Sequence, residues 1–148
     1  MTIELGTRDD IDGWMRLVET VKDAFPGLET PEALDAHKHT VLDFMGRDGA
    51  ICAKEQGEIV GTLLFSRETN VLCFLAVDAK HRRQHIAEKM VSCVLARMEP
   101  RRDVSVTTYR EGAPEGIAVR AFYQRMGFTE GALTEEFGSP VQEFVLKR

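Results

Sequence analysis

Apolar and polar positions alternate in short runs that change period several times along the chain, and each change marks an element boundary. Ile3 and Leu5 alternate with polar neighbours as a short strand does, and Thr7 followed three residues on by Asp10 has the spacing of a capping box opening a helix. Ile11, Trp14, Met15, Val18 and Phe25 then keep helical spacing until Pro26 and Gly27. Thr30 before Pro31 predicts a second helix, because the hydroxyl caps free amides and a proline in the first turn sacrifices no needed donor. Its stripe is Leu34, Val41, Leu42 and Met45, and Gly46 stops it.

Residues 51–54 and 59–65 read as strands joined through Gln56 and Gly57. Residues 71–77 are apolar at nearly every position, which suits a strand covered on both faces at the centre of a sheet. The clearest helix follows, with Ala87, Met90, Val91, Val94, Leu95 and Met98 at three- and four-residue steps and Pro100 ending it. Val104 and Val106 alternate as a strand. After the loop of residues 111–116, a short helix carries Ala118, Ala121, Phe122 and Arg125 up to its capping Gly127. Residues 128–135 and 142–147 predict a closing antiparallel pair across a turn at 138–140. The order implies one continuous domain over residues 1–148, a mixed α/β layer with helices on both faces.

A chain of 148 residues that is 43% hydrophobic suits one domain with a real core. The longest apolar run is too short to span a bilayer, and the first ten residues lack the order of a signal peptide, so a cytoplasmic protein without membrane association is expected. Cys52, Cys73 and Cys93 sit in apolar segments without metal-ligand spacing, so buried thiols and no metal site are expected. With 19 basic and 24 acidic residues the net charge is −5, which opposes general nucleic-acid binding. The local exception is residues 80–85, KHRRQH.

That basic turn lies between the apolar strand and the amphipathic helix. The first turn of a helix leaves its amides unpaired, and the macrodipole adds about half a positive charge there, so a phosphate against residues 83–87 meets ready donors. Lys80, Arg82 and Arg83 add side-chain charge.

Residues 74–87, FLAVDAKHRRQHIA, and residues 121–128, AFYQRMGF, together resemble the two best-marked segments of the GNAT superfamily of acyl-CoA-dependent N-acyltransferases. The element order follows the family along essentially the whole chain, although only these two segments are specific. The resemblance implies a mostly antiparallel central sheet of six to seven strands with four helices on both faces. It further implies that Arg82, Arg83, Gln84, His85, Ile86 and Ala87 occupy the pyrophosphate signature, with His85 where the family has glycine. The sheet would splay after residues 71–77, laying main-chain groups of Leu75 and Val77 along the pantetheine arm, with the Leu75 amide facing the thioester oxygen as an oxyanion donor.

By the same resemblance, Tyr123 stands near the cofactor sulfur and protonates the departing thiolate. Its position off the stripe of Ala118, Phe122 and Arg125 turns it toward solvent or ligand and away from the core. The expected reaction is transfer of an acetyl group from acetyl-CoA to a primary amine of a small molecule or peptide, by a monomer or homodimer. Some relatives carry a basic glutamate where this chain has Val71, so the base lies elsewhere or water relays the proton, with Glu68 and Glu135 as weak candidates. The acceptor would meet residues 14–28, the loop 111–116 and the last hairpin. Two other readings remain: a sensor that binds acyl-CoA without turnover, or a nucleic-acid module docking through residues 80–85, which the net charge and the absence of interleaved aromatics oppose.

Overall fold

The computed structural model describes residues 1–82 and 84–148. Seven strands form one sheet in the order β1 (Thr2–Leu5), β2 (Ala50–Glu55), β3 (Glu58–Ser66), β4 (Val71–Val77), β5 (Val104–Tyr109), β7 (Ser139–Leu146), β6 (Thr129–Glu136). Every neighbouring pair is antiparallel except β4 and β5. The α-helices are α1 (Ile11–Val21), α2 (Pro31–Gly46), α3 (Ile86–Leu95) and α4 (Ile117–Arg125). This is the mixed sheet with four helices that the sequence implies.

Local chemistry sets the boundaries. Asp10 accepts from the Thr7 amide at 2.9 Å, and a 3₁₀ turn at Arg8–Asp10 leads into α1. The Thr30 hydroxyl accepts from the Ala33 amide at 3.0 Å, with Pro31 beginning α2. Gln56 and Gly57 both have positive φ, 51° and 81°, the signature of the mirror-image turn whose twist matches two flanking strands. The same turn joins β6 to β7 at Phe137 and Gly138, one residue earlier than expected. Pro140 lies inside β7 opposite Glu135 of β6. The β5 ladder ends at Val141, so the missing proline amide is not needed on that side.

The sheet carries a separate apolar layer on each face. One packs Ile51, Leu63, Leu72 and Phe144 against Ile86, Met90 and Val94 of α3, with Tyr123 of α4. The other packs Cys52, Ile59 and Leu64 against Trp14 and Val18 of α1 and Val41 and Met45 of α2. The run buried on both faces is β3 and not β4, as the sequence had suggested: β4 occupies the middle of the sheet, yet Phe74, Leu75 and Val77 are only half-buried and Cys73 is exposed. The departure of β5 from its side explains this. Of the three thiols, only Cys52 is fully buried.

Candidate active site

The site begins with a disagreement in spacing between β3 and β4. Leu64 pairs with Phe74 but the next residue, Phe65, pairs with Leu72, so Cys73 is an extra residue in β4. Such a bulge reverses which way every later backbone group and side chain points. Side chains record the reversal: Leu72 before the bulge and Leu75 and Val77 after it all face the α3 layer, while Phe74 faces the α1 and α2 layer.

Backbone bonds record it too. The Ser105 amide donates to the Asn70 carbonyl at 3.1 Å, so Asn70 and Leu72 direct their peptide groups toward β5. At the other end the Asp78 amide donates to the Val60 carbonyl at 2.8 Å. Stepping back by two, Ala76 and Phe74 face β3, which turns the peptide groups of Leu75 and Val77 toward β5. Yet β5 pairs with β4 only at Val71 with Ser105 and Leu72 with Val106, and then follows β7 out to Tyr109. The two parallel strands therefore part, and Leu75 and Val77 face a gap. Buried Asn70 pins the apex, its Nδ2 donating to the carbonyls of Glu99 and Arg102, both at 3.1 Å.

Beyond Val77 a 3₁₀ turn at Ala79–His81 leads to α3, with His81 Nδ1 2.6 Å from the Asp78 carboxylate. Arg82 and Gln84 are exposed; the expectation for Arg83 lies outside the described residues. His85, in the glycine position of the signature, adopts φ 59° and ψ 26°, left-handed backbone that favours glycine. Its side chain points into solvent, with Nδ1 3.2 Å from the Glu88 carboxylate. Ile86 is buried and anchors the first turn of α3, and Ala87 follows half-buried.

Tyr123 departs from expectation in one respect. Its ring is buried, 3% exposed, with Phe122, Phe128 and Phe144 at centroid distances of 5.2, 5.4 and 6.3 Å. Ile117, Ala118, Gln124 and Arg125 are the exposed positions of α4, and the inward stripe runs through Gly116, Val119, Arg120, Tyr123 and Met126, with Phe122 packed beside it. Arg120 hides that stripe from a hydrophobicity reading. Its guanidinium is buried by donating to the Tyr109 carbonyl and Gln142 Oε1, each at 2.8 Å, and to Glu130 at 2.7 Å, while lying over the Phe144 ring. Burial raises the Tyr123 pKa well above the ordinary phenol value, so the hydroxyl keeps its proton.

The segments assigned to the acceptor meet around Tyr109 at the end of β5. Its hydroxyl donates to the Ala24 carbonyl, and the backbone of Gly116 lies against its ring. At the hairpin tip, Phe137 rests on Gly27. Phe25 stacks on Phe74 at 4.5 Å, so the connection between α1 and α2 reaches the strand that borders the gap. Glu68 lies in the turn before β4, at the end of the strand away from Leu75 and Val77, and Glu135 is exposed on β6.

The model of the acetyltransferase (GNAT) family matches residues 14–128. The chain belongs to the GNAT family. An N-acetyltransferase from Staphylococcus aureus Mu50 superposes with a TM-score of 0.78 at 15% identity, over 99% of this chain and 100% of its own. A ribosomal-protein-alanine N-acetyltransferase from Brucella melitensis gives 0.77 at 17%, and a PaiA N-acetyltransferase from Thermoplasma acidophilum in complex with coenzyme A gives 0.72 at 15%, each covering both chains completely. At these identities the likeness is one of fold. No curated protein matches the GNAT chain in sequence. Among its described residues no helix is long and apolar enough to cross a membrane.

Proposed function

We propose that residues 1–148 act as one domain that transfers an acetyl group from acetyl-CoA to a primary amine by direct attack. The observation that carries this reading is the gap between β4 and β5, bordered by the unpaired backbone of Leu75 and Val77 and ending at the open N-terminus of α3. Those groups fit the co-substrate's chemistry. An amide-bearing pantetheine arm supplies the strand-like partner that β5 withholds, and free helix amides with Arg82 to Ala87 receive the diphosphate. A coenzyme A complex of a protein of this fold supports the assignment.

Acetyl-CoA supplies an activated carbonyl and a thiolate leaving group. The Leu75 N–H, fixed by the β3–β4 ladder, donates to the carbonyl oxygen as charge gathers there, with no reorganisation required. Tyr123 then donates to the leaving sulfur. In water the transfer from a phenol near 10 to a thiolate near 8.5 is uphill by about 2 kcal/mol. A dry site moves both groups: buried Cys52 in this protein is pushed up to about 11, mainly by burial. A thiolate leaving into the apolar layer around Tyr123 gains basicity in the same way, so a phenol that has kept its proton is a suitable donor.

Two measurements test the reading. Acetyl-CoA should raise the melting temperature, because it binds only the native state, and no shift at saturation removes the assignment. Thiol release should then appear with a member of an amine panel comprising 2-phenylethylamine, a diamine and an alanine-initiated peptide. Tyr123→Phe should lower kcat with the acetyl-CoA affinity kept; equal loss in both would dismiss the donor role.

A further inference from the structure

The transfer reading has yet to name a receiver for the amine's proton: Val71 occupies the strand position where a carboxylate base was sought, and Glu68 lies at the far end of that strand. His37 packs on the strand that borders the gap. It falls between Leu34 and Val41 on the inward stripe of α2, at three- and four-residue steps. Its ring packs on Phe74 at a centroid distance of 4.7 Å, beside Phe25 on the same ring. Phe74 is the residue immediately before Leu75, whose amide faces the gap.

The chemistry of this wall is unusual for a packing position. Nε2 of His37 is buried and has no hydrogen-bond partner among the described residues. Such an orphan destabilises the fold, a cost that an apolar residue of the same shape would avoid. Two further orphans, Thr62 Oγ1 and Trp14 Nε1, belong to the same α1 and α2 side of the sheet, with Thr62 opposite Ala76 of β4.

On the reading of the gap as the transfer site, we propose that His37 Nε2 is the base that takes the acceptor amine's proton. The neutral amine forms its N–C bond to the thioester carbon, and the carbonyl π pair moves to the oxygen held by Leu75. The ammonium of that adduct, far more acidic than a free alkylammonium, passes one proton to Nε2. Collapse breaks the C–S bond, the thiolate takes the Tyr123 proton, and imidazolium and phenolate re-equilibrate through solvent, leaving amide and CoA. The connection between α1 and α2, which sets Phe25 on the same Phe74 ring, is tied down by Tyr109 on Ala24 and Phe137 on Gly27, and the acceptor enters by displacing it.

Burial lowers the His37 pKa below its ordinary 6.5, which keeps the imidazole neutral, and so able to accept a proton, through the physiological range. Phe74 packs on the ring, and burial is the cause of the shift; on its own helix the Asp35–His39 pair stands out in solvent. A group whose folded pKa is depressed becomes active as pH rises through that lower value.

The experiment is the pH profile of kcat/KM for thiol release with the best acceptor of the amine panel, for wild type and His37→Gln, beside NMR titration of the wild-type histidine C2–H signals. With kcat/KM referred to the concentration of neutral amine, the wild-type profile should rise to a plateau through a midpoint below 6.5 that one imidazole reproduces. His37→Gln should lose that limb and fall about 100-fold or more at neutral pH, with the acetyl-CoA melting shift kept. A glutamine variant within about twofold of wild type and with the same limb would overturn the proposal and leave the transfer reading standing. If the variant does not fold, the wild-type titration decides: no imidazole midpoint matching the kinetic break refutes it. Wild type without an acetyl-CoA shift would fail the transfer reading itself, and this proposal with it.

Discussion

Gly61→Ala tests whether the contact between β3 and α3 governs both stability and the cofactor seat. Gly61 lies in β3 beneath the first two turns of α3. A Cβ added there would stand 2.8 Å from Met90 Cε, 2.9 Å from Ile86 Cγ2 and 3.1 Å from Met90 Sδ, whereas ordinary contact begins at 3.4 Å. Met90 can swing its terminal methyl aside. Ile86 cannot, because a β-branched residue in a helix is held in one rotamer, so its backbone must retreat by roughly 0.5 Å. Over-packing of this kind costs about 1–3 kcal/mol, and removing glycine's freedom from the unfolded chain returns about 0.5–1. The net loss, up to about 2.5 kcal/mol, should lower the melting temperature by up to about 10 °C. Ile86 also opens the helix whose amides are assigned to the diphosphate, so acetyl-CoA affinity measured by calorimetry should fall roughly three- to tenfold, about 0.7–1.4 kcal/mol. Gly46→Ala, with nothing within 4 Å, is the matched control: it keeps only the unfolded-state gain of about 0.5–1 kcal/mol, so melting should rise slightly and the affinity should stay unchanged. Unaltered melting and affinity in Gly61→Ala would refute the claim that this close approach positions α3.

Other outcomes follow from individual contacts. His85→Gly should stabilise by about 0.5–1 kcal/mol in a thermal melt, because release from left-handed backbone exceeds glycine's unfolded-state freedom; destabilisation would mean the imidazole does more than point outward. Arg120→Met should cost about 3 kcal/mol or more in urea, since it strands Glu130, Gln142 and the Tyr109 carbonyl together; a loss under about 1 kcal/mol would show the network to be dispensable. A thiol reagent at pH 8 should modify exposed Cys73 and leave Cys52, at about 11, until the chain unfolds; early labelling of Cys52 contradicts its burial. Burial pushes Asp10 up, but bonds from Lys54 at 2.7 Å and the Thr7 amide prevail and hold it below the usual carboxylate range. That stability is present above the unfolded pKa near 3.9 and is lost as pH falls through the lower folded value, so Asp10→Asn should flatten this part of the acid unfolding curve.

Elements whose cause is local were legible from residues alone. Thr30 with Pro31, and Gln56 with Gly57, each encode a cap or turn within four residues, and the structure forms both. Elements whose cause is tertiary were not. The inward stripe of α4 was misassigned because Arg120, a charge, occupies its centre, and nothing nearby in sequence announces that Glu130 and Gln142 will satisfy it. Cys73 read as buried because an apolar run carries no mark of the residue at which its facing reverses. The same bulge aims Leu75 and Val77 at the gap, so their placement came from family resemblance and not from the pattern. His37 was missed because a histidine within an apolar stripe looks like packing until its unpaired nitrogen is seen.

A sheet whose middle seam stays open is a protein assembled short of one ribbon. Whatever lies in that seam completes the fabric, so the occupied chain should resist proteases and unfold more slowly than the empty one. The lifetime of the polypeptide would then follow the local supply of its thioester, with scarcity thinning the catalyst as well as idling it.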